Sequence, residues 1–326
     1  MTRLLLSSLL VLVLALFSPL LFLPRVDGVQ QEMPEETALP APEQGKTDAQ
    51  TVFTVLGADG VYETNMADYL AGSVAAEMPA LFHREALRAQ AVAIRTYVLH
   101  NRTVRTPNHP QADICIRPDC CEAWLSETEL RERWGSSYEE NMRKIAEAVY
   151  STDGQYLSYE GQAIQAVFHA SSAGKTENSG GVWTQVPYLV SVSSPETDDT
   201  VERLTTTVTL PPEDLGQRIR TVRPEADTDS PPESWLGAVA RTDSGRVASV
   251  ELCGVTLTGT EARRSLGLRS TDFDVSFDGE NFVFTVRGYG HGVGMSQQGA
   301  DLLAENGMDY AEILEHYYPG TELISP

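Results

Sequence analysis

Ser73 to Tyr97 reads SVAAEMPALFHREALRAQAVAIRTY and sets a carboxylate, Glu77, at the end of an apolar run and directly before Met78 and Pro79. Upstream, Thr64 or Asn65 can cap a helix that runs to Glu77, and Pro79 stops it because proline lacks an amide N–H and its ring clashes with the preceding turn. Met66, Leu70, Val74 and Glu77 fall at i, i+4, i+8 and i+11, so the carboxylate lies in line with the apolar face. Burial disfavours its charged form and the negative end of the helix dipole lies beside it, so both effects push its pKa upward. A carboxylic acid that keeps its proton near neutral pH suits general-acid catalysis, which accelerates a step by about 10²–10⁴-fold. The competing reading is a glutamate at the edge of the face that reaches solvent or pairs with Arg88 or Arg95.

A second helix, from about Arg84 to Asn101, carries Leu87, Ala91, Ile94 and Val98 as its buried stripe. Arg88, Arg95 and Arg102 recur on it every seven residues. Arg88 and Arg102 read as a solvated face, whereas Arg95 sits nearer the apolar stripe and is a candidate to face the cleft of Glu77. Outward from these helices, TVFTVLGADGVYETN turns as a hairpin at Asp59-Gly60, and Tyr138 to Tyr150 reads as a helix. Two strands join at Glu160-Gly161, a strand lies in VERLTTTVTL, and Pro211 to Arg220 forms a short helix. Further hairpins turn at Ser244-Gly245 and Asp278-Gly279, Gly259 to Leu266 is helical, and a last helix in GMSQQGADLLAENG ends at Gly307. Hairpins dominate, which predicts an α+β fold with a mixed or antiparallel sheet built from hairpins and several helices around a central cleft.

The chain of 326 residues is 41% hydrophobic and 21% charged, ordinary globular composition. Its net charge of -22, without a block of Lys or Arg, argues against nucleic acid or anionic headgroups as the main partner. Leu4 to Leu23 is an uncharged apolar run between Arg3 and Arg25, long enough to span a hydrocarbon layer and without an Ala-x-Ala-like cleavage site. Residues 1–28 are therefore expected to be a membrane anchor or signal segment, with the rest exported. Residues 29–50 are acidic and Pro-rich and read as a linker, and residues 51–326 as the extracytoplasmic domain.

The loop NHPQADICIRPDCCEAW holds His109, Cys115, Cys120 and Cys121. An exported chain permits a disulfide from Cys115 to Cys120 or Cys121, which leaves an odd thiol with Cys253 as its only mate. One histidine and three thiolates also make a closed tetrahedral zinc set, structural because no position remains for water. FHASSAGKTENSGGVW places His169, Ser172 and Lys175 at a strand end and in the loop after it, where sites often lie. A Ser172–Lys175 nucleophile pair competes there with groups that hydrogen-bond a sugar, and Gly174 argues against the helical turn such a pair needs. In RGYGHGVGMSQQGA, glycines at 288, 290, 292 and 294 surround Tyr289 and His291 and permit close backbone approach or positive φ.

Four segments together resemble one family, the stage II sporulation protein D family of peptidoglycan lytic transglycosylases. They are YLAGSVAAEMPALFHREALRAQAVAIRTY, HPQADICIRPDCC, VFHASSAGKTENSGGVWTQVPYL and GYGHGVGMSQQGADLLAENGMDYAEILEHYYPGTEL, and with their spacing they cover most of residues 50–326. The resemblance implies that Glu77, in Ala-Glu-Met-Pro, is the catalytic acid. The enzyme would cleave between N-acetylmuramic acid and N-acetylglucosamine on glycan strands stripped of stem peptides, leaving a 1,6-anhydro sugar. It implies a partner amidase that removes the peptides, and membrane proteins of an engulfment complex. The chain would sit in the cell membrane through a single N-terminal span. Some members hold zinc with a His-x5-Cys-x4-His-Cys set; here Cys120 takes the third position, so His109, Cys115, Cys120 and Cys121 are the candidate ligands of a structural zinc. Hydrolysing glycosidases usually need two carboxylates, whereas a lytic transglycosylase can use one. Arg95, Ser172, Lys175, Tyr289, His291 and Gln297 are candidates for sugar or oxocarbenium contacts. A non-catalytic glycan-binding scaffold that activates the amidase, and a zinc-dependent peptidase or amidase, are the competing readings.

Overall fold

A computed structural model describes residues 47–117 and 120–326; the expected anchor or signal segment and the linker up to residue 46 lie outside the described residues. The first described element falls within the stretch read as linker. Thr47–Gln50 forms a short helix, α1, and Asp48 is buried. Both Asp48 oxygens accept from the Arg95 guanidinium, at 2.8 Å from Nε and 2.6 Å from Nη2. Composition alone assigned these residues to the linker, because a buried ion pair across the fold leaves no local signal.

The alternating run after α1 forms β1 (Val52–Gly57) and β2 (Gly60–Asn65), an antiparallel hairpin with Gly60 at φ 125°. Asn65 then caps α2 (Met66–Glu77) by accepting from the Asp68 N–H at 2.9 Å. The longest helix among the described residues, α3 (Arg84–Val104), has its expected apolar stripe Leu87, Ala91, Ile94 and Val98 fully buried. β3 (Ile114–Cys115) pairs in parallel with β1, which pins the start of the cysteine loop to the hairpin. α4 (Glu127–Trp134) and α5 (Tyr138–Ser151) follow, then β4 (Tyr156–Tyr159), β5 (Gln162–Ala163) and β6 (Phe168–His169). These elements pack around α3 as one hydrophobic core.

A second core is inserted next. It comprises β7 (Thr205–Leu210), α6 (Pro212–Val222), β8 (Leu236–Arg241), β9 (Val247–Leu252), β10 (Val255–Thr258), α7 (Gly259–Leu266), β11 (Asp272–Phe277) and β12 (Phe282–Arg287). It forms two antiparallel three-stranded sheets, β10-β9-β8 and β11-β12-β7, joined by an apolar cluster that includes a stacked Trp235–Phe282 pair. The chain then returns to the first core through β13 (Met295–Ser296), α8 (Gln297–Glu305), α9 (Tyr310–Tyr317) and β14 (Glu322–Ile324). The α+β class holds, with the strands divided over five small sheets. The helix ending before Gly307 is followed by α9, which carries its own capping box between Asp309 and Glu312. No helix among the described residues is long and apolar enough to cross a membrane.

Arg95 is 1% exposed and also donates to the carbonyls of Gln155 and Val149. It is a core strut and does not face a cleft with Glu77. Removing one partner of a buried pair strands the other charge, so Asp48→Ala is expected to lower stability by about 3–5 kcal/mol in urea unfolding. A fragment beginning at residue 51 should show a similar loss against one beginning at residue 47.

Candidate active site and metal centre

Glu77 is the last residue of α2, which ends where the Met78 N–H reaches the Val74 carbonyl. Its apolar line Met66, Leu70 and Val74 is buried, and Glu77 itself is partly buried. One carboxylate oxygen, Oε1, accepts from the Ala123 N–H at 2.6 Å, and Oε2 has no hydrogen bond among the described residues. Neither arginine pairs with it. Arg88 is held by Glu85 and Ser151, each at 2.9 Å, and Arg95 by Asp48. Burial pushes the Glu77 pKa up, and the Ala123 N–H offsets part of that rise.

Sequence reasoning missed the neighbour that supplies this contact. Glu122 is 3% exposed, and neither of its side-chain oxygens has a hydrogen-bond partner among the described residues. Burial holds its pKa well above the ordinary range, and the charge of Glu77 adds to the rise. The segment sits where it does because the Trp124 indole lies on Gly72 of α2: a Cβ at that glycine would fall 2.3 Å from Trp124 Nε1. The Leu125 N–H also reaches the Gly72 carbonyl.

Directly before Glu122, the cysteine loop brings its four candidate ligands together. The ligand atoms of His109, Cys115, Cys120 and Cys121 all lie within 4.8 Å of one another. His109 Nδ1 lies 3.1 Å from the Ala112 carbonyl, which can only accept, so Nδ1–H donates and Nε2 presents its lone pair 3.0 Å from Cys121 Sγ. That tautomer and donor set fit a tetrahedral soft-metal site. All four cysteines are free in this structure. Cys253 lies in the second core, buried as a small hydrophobe, with its thiol pushed up to about 11 by that burial.

The two Ser/Gly-rich stretches zip together. Ser171 and Tyr289 exchange backbone hydrogen bonds at 3.0 and 2.8 Å, the Glu177 N–H reaches the Gly292 carbonyl at 2.7 Å, and β6 pairs in parallel with β13. The glycines are required by close approach: at Gly294 (φ 71°) a Cβ would lie 2.1 Å from the Val167 oxygen, and at Gly292 2.5 Å from Arg246 Cζ. Ser172 is fully buried; its hydroxyl donates to His169 Nε2 at 2.6 Å and accepts from Arg246 Nη2 at 3.1 Å, and its N–H reaches Glu196. It serves as a network hub with no open face for a sugar, and it is not paired with Lys175, whose ammonium donates to the Asp243 carbonyl at 2.8 Å.

His169 donates from Nδ1 to the Val293 carbonyl, and burial, then His291, hold its pKa well below the ordinary value. His291 accepts from the Val293 N–H at Nδ1, and burial lowers it to about 4, so both imidazoles are neutral at physiological pH. Gln297 is buried at the start of α8 and donates to Gln90 at 3.4 Å, which turns it away from a sugar contact. Of the six expected sugar contacts, Tyr289 and Lys175 are exposed, with the Arg269 guanidinium 4.5 Å over the Tyr289 ring. Arg246 and Glu196 were missed because neither lies in a motif; both belong to the buried network on their tertiary position alone.

Comparison with known proteins gives a consistent picture. The SpoIID family, described as stage II sporulation protein, matches residues 57–159. Stage II sporulation protein D of Bacillus subtilis (strain 168) is 38% identical over 263 residues, covering 79% of this chain and 74% of that protein. The protein of the same name from Bacillus amyloliquefaciens is 37% identical over 261 residues, with the same coverage. A Bacillus subtilis protein named amidase enhancer is 28% identical over 319 residues, covering 78% of this chain and 40% of its own length.

The Glu77 geometry has a thermodynamic signature. The folded chain binds the Glu77 proton more tightly than the unfolded chain, so stability falls as pH rises from the ordinary carboxylate range through the raised folded value. Glu77→Gln removes that loss while its side-chain oxygen can still accept from Ala123. The variant is expected to be more stable than wild type at about pH 7.5, with the gain gone below about pH 4, in urea unfolding at the two pH values.

Proposed function

The chain belongs to the stage II sporulation protein D family, and from that premise we propose that it is a peptidoglycan lytic transglycosylase whose acid is Glu77. The observation that carries the reading is the carboxyl itself, partly buried at a helix end, without a cationic partner, held at Oε1 by Ala123 and open at Oε2. A protonated Glu77 donates to the glycosidic oxygen as the bond to the muramic acid C1 breaks. The resulting carboxylate then takes the proton of the same sugar's C6 hydroxyl as that oxygen closes on C1. Acid and base are one group, so no second working carboxylate is required. Glu122 does not supply one, because its oxygens are enclosed and reach neither water nor a sugar.

His109, Cys115, Cys120 and Cys121 would hold a zinc ion, whose bound chemistry is that of a cross-link, with four protein ligands and no place for a reacting water. The loop they fix delivers Ala123 to Glu77. The relative named amidase enhancer supports an amidase as the working partner; on this reading the substrate is a peptide-stripped glycan strand and the setting a membrane complex. On this reading residues 1–28 anchor the chain in the cell membrane and the catalytic domain is extracytoplasmic. The same relative favours a second reading, a glycan-binding scaffold that activates the amidase without cutting.

Mass spectrometry of peptide-free glycan strands after incubation separates these. Wild type is expected to release anhydro-muramic ends and a folded Glu77→Gln variant none; cleavage retained by that variant would sink the assignment, and intact strands from wild type would leave the scaffold. Reducing ends would instead mark a hydrolase. Chelation is expected to stop activity slowly and in step with loss of folded protein, whereas a metal-dependent peptidase or amidase stops at once.

A further inference from the structure

Where the inserted second core meets the first lies a groove of about 520 Å³. One side is the Ser/Gly loop, with Gly180, Gly181 and Trp183; the other is the β8–β9 hairpin and the start of α7, with Thr242, Thr260 and Glu261. Gly181 is bare backbone by necessity, since a Cβ there would fall 2.9 Å from Glu177 Cδ. The Trp183 ring is 38% exposed, among the few large apolar side chains on the surface. It is also fixed: the ring packs against the His291 ring with centroids 5.3 Å apart, and the Trp183 backbone N–H reaches the Ser179 carbonyl at 2.8 Å. The indole Nε1–H has no hydrogen bond among the described residues, and neither does the Thr260 hydroxyl.

The lining chemistry selects the ligand class. No Lys or Arg lines the groove, and its one carboxylate, Glu261, is already engaged by Thr258 and Arg223, so an anion finds no counter-charge there. Hydroxyls, backbone and a preordered aromatic face suit a neutral ring with an apolar face and hydroxyl edges. The net charge of -22 disfavours polyanions further. The Trp183 ring at the groove also contacts His291 of the glycine loop that carries exposed Tyr289.

We propose that this groove is a saccharide subsite in which an N-acetylhexosamine unit of a glycan strand stacks on Trp183 and hydrogen-bonds the Thr260 hydroxyl, with the Thr242 oxygen, whose proton goes to Glu177, left to act as an acceptor only. It deepens the glycan-strand reading above and rests on it for the identity of the polymer. The site would hold the strand at a distance from the cut, so it governs affinity and leaves proton transfer untouched.

The test uses the full chain carrying Glu77→Gln, with a soluble oligomer of β-1,4-linked N-acetylglucosamine as the probe and calorimetry as the readout. Trp183→Ala is expected to weaken binding about tenfold or more and Trp183→Phe much less, because the stacked face is kept. Ala248→Arg, which narrows the groove from an exposed strand position without touching the tryptophan, is expected to weaken it likewise. Unchanged affinity in Trp183→Ala and Ala248→Arg overturns the subsite, as does a preference for a stem peptide over the sugar oligomer. With Glu77 restored, Trp183→Ala is expected to raise KM and keep kcat. Failure of the cleavage reading is distinguishable: binding that depends on Trp183 with no anhydro product leaves the subsite standing in a non-cutting glycan binder.

Discussion

The hydrogen bond from the Ala123 N–H to Glu77 joins the two halves of the site. A hydrogen bond between neutral groups contributes about 0.5–1.5 kcal/mol, and here it also sets the side chain's direction, leaving Oε2 as the free oxygen. Ala123 is in place for two reasons. Behind it, the four thiol and imidazole groups close the loop, and ahead of it Trp124 rests on the glycine surface of α2. The four candidate metal ligands thus bear on Glu77 through a backbone amide, which joins the cysteine loop to a carboxyl that lies far from it in sequence.

A second constraint is the seam between the cores. Thr242 and Ser244 of the β8–β9 turn both donate to the Glu177 carboxylate, at 2.6 and 2.5 Å, while Arg246 of the same turn reaches Ser172 and lies against Gly292. The inserted core is therefore docked onto the Ser/Gly loops by buried polar groups. Buried polar contacts specify one docking geometry, since a shifted pose would leave charges unpaired, at a cost greater than any apolar slip. The neutral imidazoles of His169 and His291 belong to this seam: both nitrogens of His169 are engaged, by the Val293 carbonyl and Ser172, and Nδ1 of His291 accepts from the Val293 N–H, so they fix the loops.

Local signals carried the sequence reading a long way. Helix α2 with its Asn65 cap and its stop at Pro79, the stripe of α3, the hairpins at Asp59-Gly60, Glu160-Gly161, Ser244-Gly245 and Asp278-Gly279, and the span of α7 were all legible, because each rests on contacts within a few residues. α4 and α9 were legible too, through the capping boxes Ser126–Glu129 and Asp309–Glu312, and were passed over. What no local pattern reveals is partnership across the fold. Arg95 has helical spacing suited to a cleft, yet its direction is decided by Asp48, 47 residues earlier. Ser172 and Gln297 sit in motifs that look like binding loops, and their neighbours turn them inward.

Glu122 shows why the site still supports a single working carboxyl. Two acids close together would ordinarily suggest a glycosidase pair, one protonated and one ionised. That division of labour requires the second group to face water or the sugar, so that it can carry charge and accept a proton from a nucleophile. Glu122 is enclosed on both oxygens, and every effect on it favours the neutral form. It therefore acts on Glu77 as a low-polarity wall: it adds desolvation around the acid without adding a base. On the lytic-transglycosylase reading proposed above, Glu77 alone changes protonation state within reach of substrate, and an acid that works without a second base must recover its proton from the sugar itself. In that proposal the C6 hydroxyl is the proton donor that restores the acid as its oxygen closes on C1, and an anhydro ring would be the chemical record.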